Sequence, residues 1–186
     1  MRIFIVSIIF ILFAWYATRI CRPLYSEKDK LINQVNKKTA LALKQELDLR
    51  PFGFGSQAMY QIKMLELSFQ YHHPIDIAEG RDLLIRATQK FLDEINSSEK
   101  IRPYLDHYPF EPNDVSILIL LQKPDGREVA PGELTLISAR EGGLEYDIYD
   151  AKRFLETVHK ETYEEAVQKL HVQEDALSKL EGSSLP

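Results

Sequence analysis

Cysteine is almost absent from this sequence, since Cys21 is the one cysteine among 186 residues. A disulfide within the chain and a zinc site built from cysteines are therefore excluded. The sequence also lacks a G-x-S-x-G nucleophile elbow and an H-E-x-x-H zinc-binding motif. The nearest approach to a phosphate-binding loop, Gly53-Phe54-Gly55, lacks a third glycine and follows a predicted helix instead of a strand. We therefore expect no catalytic motif, no cofactor and no metal site.

An excess of positive charge is missing as well. The chain has 28 acidic and 23 basic residues, which gives a formal net charge of -5. The first 22 residues contain three arginines and no acid, so the remainder carries a net charge near -8. Nucleic-acid binding relies on clustered Lys and Arg that neutralise phosphates. We therefore expect no nucleic-acid partner.

Long hydrophobic runs are rare, but one stands at the N-terminus. Residues 3–18, IFIVSIIFILFAWYAT, form an uncharged stretch between Arg2 and Arg19. As a helix they would span about 24 Å, which is short against a bilayer core of about 30 Å. Flanking arginines, with Trp15 and Tyr16 at the interface, favour an uncleaved single-pass anchor in the lipid bilayer. The alternatives are a cleaved secretory signal, which lacks small residues at its cleavage site, and a buried core helix, which the absence of amphipathicity disfavours.

The orientation of this predicted anchor is open. Arg19, Arg22, Lys28 and Lys30 follow the segment, and the positive-inside rule would keep that side in the cytoplasm. A signal-anchor would instead export the domain. We favour export, which places the domain on the extracytoplasmic side of the cell membrane.

The first half of the remaining chain predicts two helices and one strand. The apolar spacing predicts a helix over Ser26–Arg50, and Pro51–Ser56 predicts a turn that ends it. Alternation predicts a half-buried strand over Tyr60–Tyr71. A D-x-x-E start signal and an apolar stripe predict a second helix over Asp76–Asn96.

The second half predicts mainly strands. Val115–Leu121 is almost wholly apolar, as expected of a central strand buried on both faces. Glu133–Ala139 and Leu144–Tyr149 flank the turn signal Glu141-Gly142-Gly143 and predict a hairpin. Phe154–His159 fits a fifth strand better than a helical turn.

A last helix is predicted over Tyr163–Leu170, capped by Thr162 and Glu165. This order predicts an α+β fold with a mainly antiparallel sheet of four to five strands, helices on one face, and a preceding N-terminal hydrophobic helix. The predicted divisions are an anchor or signal (1–22), a stalk or packing helix with its turn (23–57), the α+β domain (58–172), and a frayed helix end with a disordered tail (173–186).

The most unusual stretch is the 100–114 loop, KIRPYLDHYPFEPND, with three prolines and three aromatic residues. Exposed aromatic side chains beside arginine are typical of protein recognition. The candidate contact residues are Arg102, Tyr104, His107, Tyr108 and Phe110. The alternative, which we favour, is that these side chains pack the loop onto the sheet.

Four segments resemble an uncharacterised family of small bacterial proteins that also begin with a hydrophobic segment. They are EGRDLL (79–84), FLDEINSSEKIRPYL, YPFEPNDV and ETYEEA (161–166). The resemblance covers roughly residues 58–170. It implies a bacterial envelope setting and no activity, cofactor or catalytic residue.

These observations favour a membrane-anchored, non-enzymatic binding or structural module of the bacterial envelope, with another envelope protein as its expected partner. Two alternatives stay open. One is a hydrolase-like enzyme whose site is assembled from scattered acids and His107. The other is a secreted effector, released by cleavage of the N-terminal segment.

Overall fold

A computed structural model describes the backbone of residues 26–182 and the side chains of residues 26–173. The described residues from Leu31 onward belong to one compact unit. The predicted hydrophobic segment (1–22) and the last residues of the tail (183–186) lie outside the described residues. Over the part of the chain that is described, no helix is both long and apolar enough to span a bilayer.

The described residues form three α-helices and one six-stranded sheet, so the α+β class is confirmed. The elements are α1 (Glu27–Leu47), β1 (Arg50–Gln57), β2 (Met64–Tyr71), α2 (Ile77–Ser97), β3 (Val115–Leu121), β4 (Leu134–Arg140), β5 (Gly143–Tyr149), β6 (Leu155–Thr162) and α3 (Tyr163–Gly182). The strands lie side by side in chain order. Only β2 and β3 run parallel, because α2 crosses over between them; the other neighbours are antiparallel. The predicted count of four to five strands is wrong by at least one.

The additional strand is β1, which replaces the predicted turn over Pro51–Ser56. β1 pairs along its length with β2 at the edge of the sheet. A Cβ at Gly53 or Gly55 would lie 3.3 or 3.1 Å from the Cβ atoms of Ser68 and Glu66, so these glycines allow a close approach of the two strands. An edge strand tolerates the proline and glycines that argue against a central strand. β2 starts at Met64, four residues later than predicted.

Helix α2 begins where the sequence predicts. The Asp76 side chain accepts a hydrogen bond from the Glu79 N–H at 2.9 Å, and the Asp76 N–H donates to Glu79 Oε2 at 3.0 Å. This capping box satisfies backbone donors that the first helical turn leaves without partners.

The C-terminal strands also follow the prediction. Glu141 (φ 50°) and Gly142 (φ 71°) form the two-residue connection between β4 and β5, and positive φ at both positions is typical of a type I′ hairpin. β6 confirms the choice of a fifth predicted strand over a helical turn. Thr162 and Glu165 form the predicted cap of α3, which extends to Gly182.

One hydrophobic cluster joins the helices to the sheet. The strand residues in it alternate along each strand, as in Leu65, Leu67 and Phe69 of β2 and Val115, Ile117, Ile119 and Leu121 of β3. Helix α1 contributes Ile32, Val35, Ala40 and Leu43, and α2 contributes seven apolar residues that include Leu84, Phe91 and Ile95. The α1 helix therefore packs into the core of the compact unit.

Candidate functional site

A cavity of about 700 Å³ lies where the C-terminal end of α1, the end of β2 and the start of α2 meet, with α3 at its side. In α/β sheets, binding crevices lie beyond the carboxyl ends of parallel strands, and β2 is one of the two parallel strands here. We call this cavity the acidic pocket. Its lining residues are Gln45, Glu46, Leu47, Asp48, Tyr71, Ile75, Ala78, Glu79, Asp82, Leu83, Arg86, Leu170 and Gln173.

The pocket carries four carboxylates and one cationic side chain. Asp82 accepts a hydrogen bond from Arg86 at 3.4 Å, one turn along the same helix. Glu46 lies 2.7 Å from the Lys90 ammonium, which connects α1 to α2. Asp48 lies 3.5 Å from His73 Nε2. Even with these partners the acids outnumber the fixed positive charges, so the lining has a net negative charge.

Tyr71 is one of the residues that line this negative region. Burial, reinforced by the charges of Asp48 and Glu79, raises the pKa of Tyr71 above its ordinary value of 10.0. The hydroxyl therefore stays protonated, and it makes no hydrogen bond with the described residues. The ring of His73 lies 5.1 Å from the Tyr71 ring. A protonated, unpaired hydroxyl and an aromatic face are thus available to a ligand.

The chemistry of the lining suits an organic cation with an aliphatic stem. Carboxylates accept strong hydrogen bonds from ammonium and guanidinium groups. A tyrosine ring attracts a cation placed over its face. Leu47, Ile75 and Leu83 supply apolar surface that could contact the methylene groups of a Lys or Arg side chain.

A second polar cluster is buried between α2, α3 and the β5–β6 hairpin; we call it the Glu161 cluster. Glu161 Oε1 accepts hydrogen bonds from Arg81 Nε and from the Tyr146 hydroxyl, both at 2.8 Å. Glu161 Oε2 accepts one from Lys169 Nζ at 2.7 Å. His159 Nε2 lies 3.6 Å from Glu161 Oε2, and among the described residues it has no hydrogen-bond partner.

The protonation states in this cluster follow from burial and from the cations. The Glu161 side chain is only 1% exposed, and burial by itself raises its pKa. The hydrogen bonds from Arg81, Lys169 and Tyr146 outweigh burial and lower the pKa of Glu161 to about 2. Burial, together with Glu161, raises the pKa of Tyr146. The cluster therefore holds an ionised carboxylate that ties two helices to two strands, which is a structural arrangement.

The Glu161 cluster is not predicted by the sequence motifs. Arg81 interrupts the apolar stripe of α2, and its partner Glu161 lies 80 residues away. Arg81 stands in EGRDLL and Glu161 in ETYEEA, but nothing in either segment signals that the two side chains meet.

The 100–114 loop holds the five residues proposed for recognition. Phe110 is only 2% exposed, because Asn96 donates to its carbonyl at 2.9 Å and accepts from its N–H at 2.8 Å, which holds the residue against the core. Phe110 is therefore a buried packing residue and is not part of an exposed recognition surface. Tyr104 is half-buried and packs against the same core.

Arg102 and Tyr108 are exposed and contact each other. The Arg102 guanidinium lies over the Tyr108 ring, 4.2 Å from its centre. The Tyr108 hydroxyl donates to the Asn96 carbonyl at 3.3 Å, so the ring has a fixed orientation although it is 48% exposed. These two side chains form one surface, separate from the buried Phe110.

His107 contacts Asp114 and not the acidic pocket. Its Nε2 lies 2.9 Å from Asp114 Oδ2, and the same oxygen accepts the Glu111 N–H at 2.7 Å. Asp114 therefore closes the 3₁₀ turn Pro112–Asp114 that precedes β3. The contact between His107 and Asp114 therefore belongs to the local structure of the loop.

Comparisons of this chain with protein-family models, with curated proteins and with solved structures find no match.

Proposed function

We propose that this chain is a non-enzymatic binding module of the bacterial envelope, anchored in the membrane by residues 3–18, with the acidic pocket as its binding site. The observation that carries the binding role is the pocket itself: a cavity of about 700 Å³ that combines four carboxylates, apolar side chains and a tyrosine hydroxyl with no hydrogen-bond partner among the described residues. The anchor, its single-pass topology and the extracytoplasmic side rest on the sequence alone.

The proposed ligand is a positively charged segment of another envelope protein. A Lys or Arg side chain has both the charge that the carboxylates select and the methylene stem that the apolar residues accommodate. In this proposal the helices cover one face of the sheet and build the pocket from that side, at the end of β2. The exposed pair of Arg102 and Tyr108 remains a predicted second contact surface.

The test is calorimetric titration of a tetra-arginine peptide into the full chain in neutral detergent micelles. The test variant combines Asp48→Asn with Asp82→Asn. Asparagine suits residue 48 because Asp48 has a left-handed φ of 53°, which asparagine tolerates. We expect the peptide to bind the wild type and to bind this variant at least about tenfold more weakly, since two pocket charges are lost.

The matched control removes two carboxylates outside the pocket, through Asp125→Asn with Glu145→Gln. Both side chains are about half exposed, and each has a basic partner, Arg127 or Lys160, at 2.6 Å. The control variant should bind like the wild type, and a tetra-glutamate peptide should not bind. Equal weakening in the two double variants would show that the peptide senses net charge alone, and the proposed site would be wrong.

A further inference from the structure

Strand β1 forms one edge of the sheet, with β2 as its single strand neighbour among the described residues. Its eight residues extend for about 26 Å. The outer backbone donors and acceptors of such a strand form a template for pairing with another chain. Natural edge strands are therefore blunted by charges, prolines or bulges.

The blunting features of β1 are confined to its first residues. Arg50 lies at the start and contacts His72 at 3.2 Å, Pro51 follows, and the pairing with β2 shifts register between Pro51 and Gly53. From Gly53 to Gln57 the strand has no charge, no proline and no bulge. The opposite edge, β6, differs because it carries Glu156 and Lys160 on exposed positions.

Two aromatic side chains of β1 are exposed on this edge. Phe52 is 55% exposed and Phe54 is 46% exposed. Phe54 pairs with Leu67, which is fully buried in the core. The Phe54 ring therefore lies along the border of the hydrophobic core, where another strand would cover it.

We infer that β1 is a self-association edge, where a second copy of this chain adds its own β1 in antiparallel orientation about a two-fold axis. The charge distribution of β1 permits pairing with a second copy. Antiparallel pairing brings the Arg50 end of one strand to the uncharged Gln57 end of the other, so no like charges oppose each other. The Phe54 rings of both strands then lie on one face, and cross-strand aromatic pairs stabilise such a ladder. The interface is isologous and closes at two copies.

Sedimentation velocity of the full chain in detergent micelles tests this inference. A concentration series up to about 100 µM should reveal a monomer–dimer equilibrium, as expected of a small interface. Phe54→Lys places like charges across the two-fold axis and should raise the dimer dissociation constant at least about tenfold. Ser56→Lys lies at an exposed position of the same strand and should also raise the dimer dissociation constant. It replaces Phe54→Lys as the test if that variant does not fold.

The control is Val172→Lys, which adds the same charge at a side chain that is 69% exposed on α3. It should dimerise like the wild type, and circular dichroism should confirm that each variant is folded. A wild type that stays monomeric throughout the series overturns the inference. So does a dimer that persists in the folded edge variants, because association would then involve the N-terminal segment or another surface.

Discussion

Replacing Glu161 by glutamine removes the charge at the centre of the Glu161 cluster while it preserves the shape of the side chain. The variant leaves Arg81 buried without its anionic partner, and removal of one member of a buried ion pair is strongly destabilising. The magnitude follows from the pKa of Glu161, which is lowered from 4.5 to about 2. At about 1.4 kcal/mol per pKa unit, ionised Glu161 contributes about 3 kcal/mol to the free energy of unfolding at neutral pH.

The same shift predicts a pH dependence with a definite sign. Because the folded-state pKa lies below the unfolded one, the contribution is fully present above about pH 4.5. It declines as the pH falls towards the folded-state value near 2. At pH 3 about 1 kcal/mol of this contribution should remain. The difference in the free energy of unfolding between wild type and Glu161→Gln should therefore be smaller at pH 3 than at pH 7.

Urea unfolding of the full chain in detergent micelles, followed by circular dichroism at pH 7 and pH 3, measures both quantities. The control is Glu145→Gln, whose carboxylate also accepts a hydrogen bond from a lysine, but on a side chain that is about half exposed. It should change stability little, because exposed ion pairs contribute weakly. A Glu161→Gln variant as stable as the wild type at pH 7, or equally destabilised at pH 7 and pH 3, would contradict the stabilising role of ionised Glu161.

Two further changes test how local contacts position the elements. Asp76→Ala removes the N-cap of α2 and should lower the free energy of unfolding by about 1 kcal/mol. Asp76→Asn should retain most of the stabilisation, because asparagine also caps helices well. Urea unfolding distinguishes the two variants. Asn96→Ala removes both hydrogen bonds to the Phe110 backbone. It should lower the free energy of unfolding by about 1–3 kcal/mol, because it leaves backbone polar groups without partners. Hydrogen exchange of the Phe110 amide should accelerate in this variant, and unchanged exchange would contradict the proposed anchoring of the loop.

Local signals in the sequence predict the elements whose stability is itself local. Helix α2 starts at the D-x-x-E box, and β3 spans the same residues, Val115–Leu121, that its apolar run predicts. Strand β1 is missed because its Pro-Phe-Gly-Phe-Gly composition is typical of a turn. Its strand conformation depends on pairing with β2, which no pattern within the segment itself reveals.

The candidate sites depend even more on distant partners. The acidic pocket combines the end of α1, the β2–α2 connection and one side of α3. In the sequence its acids are indistinguishable from the other carboxylates of an acidic chain. The Glu161 cluster likewise requires that α2 and β6 meet in space. By contrast, the 100–114 loop is unusual in sequence, and the structure divides its residues between a buried Phe110 and an exposed Tyr108.

Hydrogen–deuterium exchange of the full chain with and without the tetra-arginine peptide tests the proposed binding role most directly. We expect the peptide to slow exchange in the three segments that line the acidic pocket, residues 45–48, 71–86 and 170–173. Protection confined to the surface around Arg102 and Tyr108, or no protection in any segment, would contradict it.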